Sequence, residues 1–218
     1  MLIREELEVR FNIAITMLAA LTFLNGCSDP SANKSKAVTG APAQVASPAA
    51  AAQGHKYQIT PQNSKIEFVG SQVTGHHDGS FGDFSGQIDF NGTPEQSRVN
   101  ITIKTDSITA DNPDLTKHLK TPDFFDVAKF PEATFVSTAI KAGGEGGASH
   151  TVTGNLTMHG VTKSVTFPAT INVTPDAATV DSNFSISRKE FGITYPGPSD
   201  NAIRDNVVLT LKIHANKA

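Results

Sequence analysis

From Lys56 onward, apolar side chains recur at every second position rather than at helical spacing. Ile66 and Phe68 alternate with polar neighbours. Phe84, Gly86, Ile88 and Phe90 fall on one face of a strand, and Ser85, Gln87 and Asp89 fall on the other. Val99, Ile101 and Ile103 repeat the pattern. So do Val152, Gly154, Leu156 and Met158, then Val165, Phe167, Ala169, Ile171 and Val173, and finally Val207, Leu209, Leu211 and Ile213. Residues 133–140, with Phe135, and 179–187, with Phe184 and Ile186, read as weaker strands. Asn91-Gly92, the glycine-rich run 143–147, His159-Gly160 and Pro175-Asp176 supply turns between them. About eight or nine strands, each with one apolar face, predict an all-β antiparallel barrel or a sandwich. A barrel of ~8 strands holds side chains or one small ligand inside. Its outward faces, rich in Thr, Asn and Ser, suit water, not a lipid-facing band.

One segment leaves this period. Residues 114–119 place Leu115, His118 and Leu119 on one helical face, and Pro122 stops the helix before Asp123-Phe124-Phe125-Asp126. A short helix followed by an aromatic pair plugs one barrel end or covers a sheet edge. The residues alone leave both open.

The N-terminal quarter is different. Residues 11–24 (FNIAITMLAALTFL) are an apolar stretch too short for a membrane span of ~20 residues but right for a secretory core of ~7–15. It runs into Leu24-Asn25-Gly26-Cys27, which resembles a bacterial lipobox. That resemblance implies a signal peptide over residues 1–26 and a diacylglycerol anchor on Cys27. Ser28 after the Cys, in place of Asp, implies an outer-membrane lipoprotein facing the periplasm. Residues 27–54 are rich in Ala, Ser and Pro and contain no aromatic side chain, which predicts a disordered linker holding the domain clear of the membrane. The folded domain is then residues 55–218.

Composition narrows the function by exclusion. A net charge of -3 supplies no basic field for nucleic acid. A single Cys excludes an internal disulfide framework and a thiolate-built zinc site. Thirteen Phe and 17 Gly with no Trp favour strands and turns. No catalytic constellation stands out. Ser31-Ala32-Asn33-Lys34 fits a serine–lysine pattern but lies in the linker. Among the histidines only His76 and His77, beside Asp78, cluster, and that stretch reads as a polar loop rather than a metal site. No metal and no cofactor is expected.

The order of motifs is more specific than any one of them. Ile66-Glu67-Phe68-Val69-Gly70-Ser71 is followed by Phe84-Ser85-Gly86, then by His118-Leu119-Lys120-Thr121-Pro122-Asp123-Phe124-Phe125-Asp126. Phe130-Pro131-Glu132-Ala133-Thr134-Phe135 comes next, then Thr153-Gly154-Asn155-Leu156-Thr157-Met158-His159-Gly160-Val161-Thr162, then Ser187-Arg188-Lys189-Glu190-Phe191-Gly192-Ile193. This series, over about residues 57–215, resembles the YceI-like family of bacterial secreted proteins in its lipoprotein branch. Tyr57 stands where many members have Trp. The resemblance implies a lipocalin-like antiparallel barrel with a long apolar pore that takes polyisoprenoid or other long-chain lipid.

Two readings of function therefore stand: a binding module that shields or ferries such a lipid, and an enzyme acting on it. An enzyme needs a placed base or metal, and binding is preferred because none is found. A filled barrel with a structural or protein-binding role is the third reading. Homodimerisation is left open. The candidate pore-lining residues are Phe68, Phe84, Ile88, Ile101, Leu119, Phe124, Phe125, Phe135, Leu156, Met158, Phe167, Ile171, Phe184, Ile186, Leu209 and Leu211. Apolar walls distinguish one methylene by only ~1–3 kcal/mol, so loose specificity is expected.

Overall fold

The computed structural model describes residues 29–45 and 54–218. The expected signal peptide and the lipidation site Cys27 lie outside the described residues. Along the chain run β1 (Ser35–Lys36), β2 (Val38–Gly40), β3 (His55–Ile59), β4 (Lys65–Gln72), β5 (Gly75–Phe81), β6 (Phe84–Phe90), β7 (Arg98–Lys104), β8 (Ile108–Ala110), α1 (Pro113–Leu119), β9 (Glu132–Ala142), β10 (His150–Met158), β11 (Val161–Val173), β12 (Ala177–Ser187) and β13 (Asn206–Lys217).

Eight of these strands close on themselves. β3, β6, β7, β9, β10, β11, β12 and β13 pair in that order, every contact antiparallel, and β13 returns to β3. Alternation alone left barrel and sandwich open, the family resemblance implied the barrel, and the circuit is a barrel. β4, β5 and β8 extend from β13 as a flap. The tight β10–β11 connection is His159-Gly160, both at positive φ (52° and 75°), the backbone that a two-residue hairpin demands. The stretch around His76 and His77, expected as a polar loop, is strand β5. Its backbone pairs with β4 and β8, and the His77 ring bonds Asp111 at 2.8 Å.

Each end of the barrel carries an apolar plug. At one end Tyr57 is buried, its ring edge-on to Phe90 and its hydroxyl donating to Thr174 O at 2.8 Å. At the other, Asn112 caps α1 by accepting from the amides of Asp114 and Leu115. That fixes Leu119 against Phe124, Ile108 and Ile193. The helix and its aromatic pair thus form a lid over one end rather than only covering an edge.

The wall has one seam. β11 and β12 pair only where Thr170 to Val173 face Asp181 to Ala178. Pro168 ends that pairing, because it has no N–H to donate toward β12. Its carbonyl is taken instead by the Ser182 hydroxyl at 2.6 Å. Beyond it the strands part, and residues 35–40 fill the gap. β1 runs parallel to β12 and β2 antiparallel to β11, while the Ala37 amide donates to Ser185 O at 2.8 Å. The Ala37 side chain is buried among Val165, Phe167, Phe184 and Ile186.

This corrects the expectation of a disordered linker in part: residues 29–45 form a strap on the barrel, and residues 27–28 and 46–53 of that stretch lie outside the described residues. Asp29 turns the chain into it, accepting from the Ser31 hydroxyl and amide and meeting Arg204 at 3.5 Å. The Ser31 hydrogen bonds, more than Arg204, hold the Asp29 carboxyl below its ordinary value. A carboxyl lowered in this way stabilises the strap above the unfolded value of ~3.9 and ceases to do so as pH falls through its own value. Outward-facing Ser185, whose carbonyl takes the Ala37 amide, is buried under this segment.

Hydrogen exchange distinguishes strap from linker. The Ala37 amide should be protected at neutral pH, and Asp29→Ala should speed its exchange about fivefold, equivalent to ~1 kcal/mol. Ala37 exchanging at the rate of a free peptide would return the segment to a linker.

An apolar chamber between two plugs

The inward faces enclose a chamber of about 230 Å³. Its exposed lining contains no polar atom surface, although Arg188 borders it. Even a cavity of ~150 Å³ with such walls stays dry and accepts benzene.

Every candidate residue read from the sequence borders this chamber except Phe84. Phe84 is buried beside Ile59, Ile88 and Ile101, filling space instead of facing it. All four alternating residues of β13, Val207, Leu209, Leu211 and Ile213, face inward together. Phe167 and Phe184 stack at 4.4 Å and 9°, sealing the seam from inside beneath Ala37.

Several residues that border the chamber were not among the candidates, Gly70 and Ile193 among them. Gly70 follows Ile66 and Phe68 on the inward face of β4, and a Cβ placed there would meet nothing within 4 Å. It leaves a notch in the wall. Period-two counting could have found it, since Gly70 is two residues past Phe68. At Gly154, by contrast, a Cβ would collide with the Phe135 ring and the Val136 carbonyl. Ile193 reaches the lid from irregular chain, where no periodicity signals it.

Arg188 was also missed. It is buried, yet its guanidinium does not serve the chamber. Nε donates to Arg204 O at 3.1 Å, Nη1 to Ile193 O at 2.8 Å and Nη2 to Ile203 O at 3.3 Å. Burial pushes this group below its ordinary value, and Asp205, 3.8 Å away, opposes that shift. An arginine nonetheless remains charged in a protein. It is a tie that folds the irregular segment carrying Ile193, Tyr195 and Ile203 over the barrel end.

On that lid His118 stands edge-on to Phe124 and Tyr195, with ring centroids 5.0 and 5.1 Å apart, and bonds Asp123 through Nε2 at 2.8 Å. His159 Nδ1 lies 3.1 Å from Phe191 O, a turn contact. Among the described residues no three His, Cys, Asp or Glu side chains converge on a point that could hold a metal ion.

A closed eight-stranded antiparallel barrel around one apolar chamber is a lipocalin-like architecture. The chain belongs to the YceI-like family, whose model, a YceI-like domain, matches residues 57–215. A UPF0312 protein of Pseudomonas putida (strain GB-1) is 40% identical over 132 residues, which are 57% of this chain and 68% of that one. Among solved structures, Burkholderia cenocepacia BcnA superposes with a TM-score of 0.65 at 29% identity, over 72% of this chain and 99% of its own. A polyisoprenoid binding domain from Saccharophagus degradans, at TM-score 0.60 and 16% identity, shares the fold over 76% of this chain and 99% of its own.

Arg188→Met keeps the stem and removes the three bonds. Carbonyls left unpaired cost about 1–3 kcal/mol each when buried. The variant should melt several degrees lower, and proteolysis should nick residues 193–204 before any barrel strand. An unchanged melting temperature would show that the tie is dispensable.

Proposed function

We propose that this protein is a lipid-anchored binding protein of the periplasm that holds a long apolar chain, of the polyisoprenoid class or a similar lipid, in its barrel. The observation that carries this reading is the chamber lining, which is apolar throughout although the chain as a whole is only 38% hydrophobic. A lining of that kind binds by exclusion of water, at ~0.8 kcal/mol per buried CH₂. The Saccharophagus degradans domain, described as polyisoprenoid binding, supports the choice of ligand class through a shared fold. Binding, not catalysis, is proposed, since among the described residues the chamber lining presents no polar surface to act on a chain.

The anchor is part of the same proposal. Cys27 is the chain's one cysteine and closes the lipobox-like run. The acyl chains would keep the protein on the periplasmic face of the outer membrane.

Mass spectrometry of an organic extract of the purified protein tests the ligand. Gly70→Leu puts bulk into the notch from a position where a Cβ meets nothing within 4 Å, so the fold should hold while recovered lipid drops. Leu209→Trp should do the same at about 1–3 kcal/mol of overpacking. Thr210→Trp, on the outer face, should leave recovery unchanged. Full lipid occupancy in folded Gly70→Leu and Leu209→Trp proteins would place the chain elsewhere, and a wild-type extract free of lipid would overturn the reading.

Cell fractionation tests the anchor. Cys27→Ser should move the protein from the membrane to the soluble fraction. A wild-type protein without the mass of a diacylglyceryl group would refute the anchor while leaving the chamber untouched.

A further inference from the structure

The first described residue, Asp29, does not hang free. It meets Arg204 at 3.5 Å, and the Arg204 amide donates to Ser71 O at 2.8 Å. Ser71 is near the end of β4, one residue before Gln72, which bridges to Ile203. The Thr74 amide bonds Asn201 Oδ1 at 3.1 Å in the next turn. All these groups belong to the lidded end, where Ile193, Tyr195 and Ile203 pack on Leu119 and Phe124. From Asp29 the chain turns and enters the seam, held by the Ala37 bond to Ser185 O and the pairings of β1 and β2.

Asp29 is two positions past Cys27, at most about 7 Å of chain. A lipid on Cys27 would therefore leave the protein at this corner. A free linker over residues 27–54 would let the barrel tumble at a distance from the membrane. The strap removes that freedom. The same end exposes Val73 at the β4–β5 tip, with 54% of its surface accessible, and Pro196 and Pro198 in the lid segment. The opposite end, with the Pro175-Asp176 turn and the C-terminus, is the far side of the barrel from this corner.

We propose that the strap docks the lidded end of the barrel, carrying Val73, Pro196 and Pro198, against the surface of the bilayer. This rests on the reading of Cys27 as the membrane anchor. It adds an orientation to that reading: the lid, and not the Tyr57 plug, lies between the chamber and the membrane.

The chain offers a direct test, because it has one Cys and no Trp. The protein beginning at Cys27, which is its mature form on this reading, is coupled through that thiol to a maleimide-bearing phospholipid in phosphatidylcholine vesicles. Brominated phosphatidylcholine in the same vesicles then quenches any indole that touches the membrane. A Val73→Trp protein should lose most of its emission. An Asp176→Trp protein, at the far end, should lose little. In an Ala37→Pro background, which removes the bond to Ser185 and frees the strap, the two should be quenched alike.

Equal quenching at the two positions with the strap intact, or stronger quenching at 176, would overturn the orientation. A difference that survives Ala37→Pro would overturn the role of the strap. The maleimide lipid stands in for the native anchor, so these results do not depend on acylation in the cell. A native protein lacking the diacylglyceryl mass would refute the anchor separately.

Discussion

A barrel wall around an apolar interior must pair its own backbone, because nothing inside can take an unmade hydrogen bond. Eight antiparallel strands meet that demand around most of the circuit. The informative places are those where strands alone do not. Pro168 breaks the β11–β12 ladder, and two devices repair it: the Ser182 hydroxyl on the Pro168 carbonyl, and the strap, which brings backbone from outside the family-matched region into the gap. At the lid, irregular chain brings three carbonyls with no ladder, and the Arg188 guanidinium collects them. Two buried side-chain polar atoms lack partners among the described residues, Ser71 Oγ and Arg204 Nε, both at the corner where Asp29 docks.

That same demand explains what could be read from the sequence. Strict alternation assigned the faces of β6, β7, β10, β11 and β13, and with them most of the chamber lining. Parity reports which way a side chain points, not whether space lies beyond it. Phe84 shares the parity of Ile88 yet fills a cluster between strands. Gly70 shares the parity of Phe68 and leaves space, but a search for apolar bulk passes over it. The strap was illegible for a deeper reason. Ser-Lys-Ala-Val-Thr-Gly has no alternation to speak of, and its pairing is backbone pairing that any residues could make. What orders it is a vacancy created by Pro168, about 130 residues further along the chain. Composition describes what a segment could bury of its own, and Ala37 is buried by others. β5 misled for a related reason: as a flap strand it has no continuous apolar face, so His76 and His77 looked like a loop.

On the proposed reading, a chamber of about 230 Å³ limits how much ligand is enclosed. Sites for drug-sized ligands commonly measure ~300–1,000 Å³, so a chain of many isoprene units exceeds this one unless the wall gives or part of the chain stays outside. Energetics favour the second outcome. Eight five-carbon units at ~0.8 kcal/mol per CH₂ would sum to ~32 kcal/mol, above the practical ceiling of ~18–21. Partial enclosure removes the discrepancy. It also places specificity in the shape of the walls, at Gly70 and at the stacked Phe167 and Phe184, since no polar group is there to read a headgroup.

Exchange of such a ligand is the harder problem. Moving one isoprene unit from the chamber into water costs up to ~4 kcal/mol, so release of even three units through solvent is slowed by many orders of magnitude. A carrier escapes this only if the chain passes from one apolar surroundings to another without meeting water. The plug around Tyr57 opens toward solvent-facing turns and offers no such route. The lid offers one if it touches the bilayer, for its Leu119, Phe124 and Tyr195 would then form a continuous apolar path between chamber and acyl chains. Its weakest bonds are also in the right place: the lid is irregular chain held by a guanidinium and a few turns, whereas the far end is held by full ladders. Local opening concentrates where backbone is least laddered. A barrel held by its strap with that end to the membrane would open toward lipid and stay shut toward water.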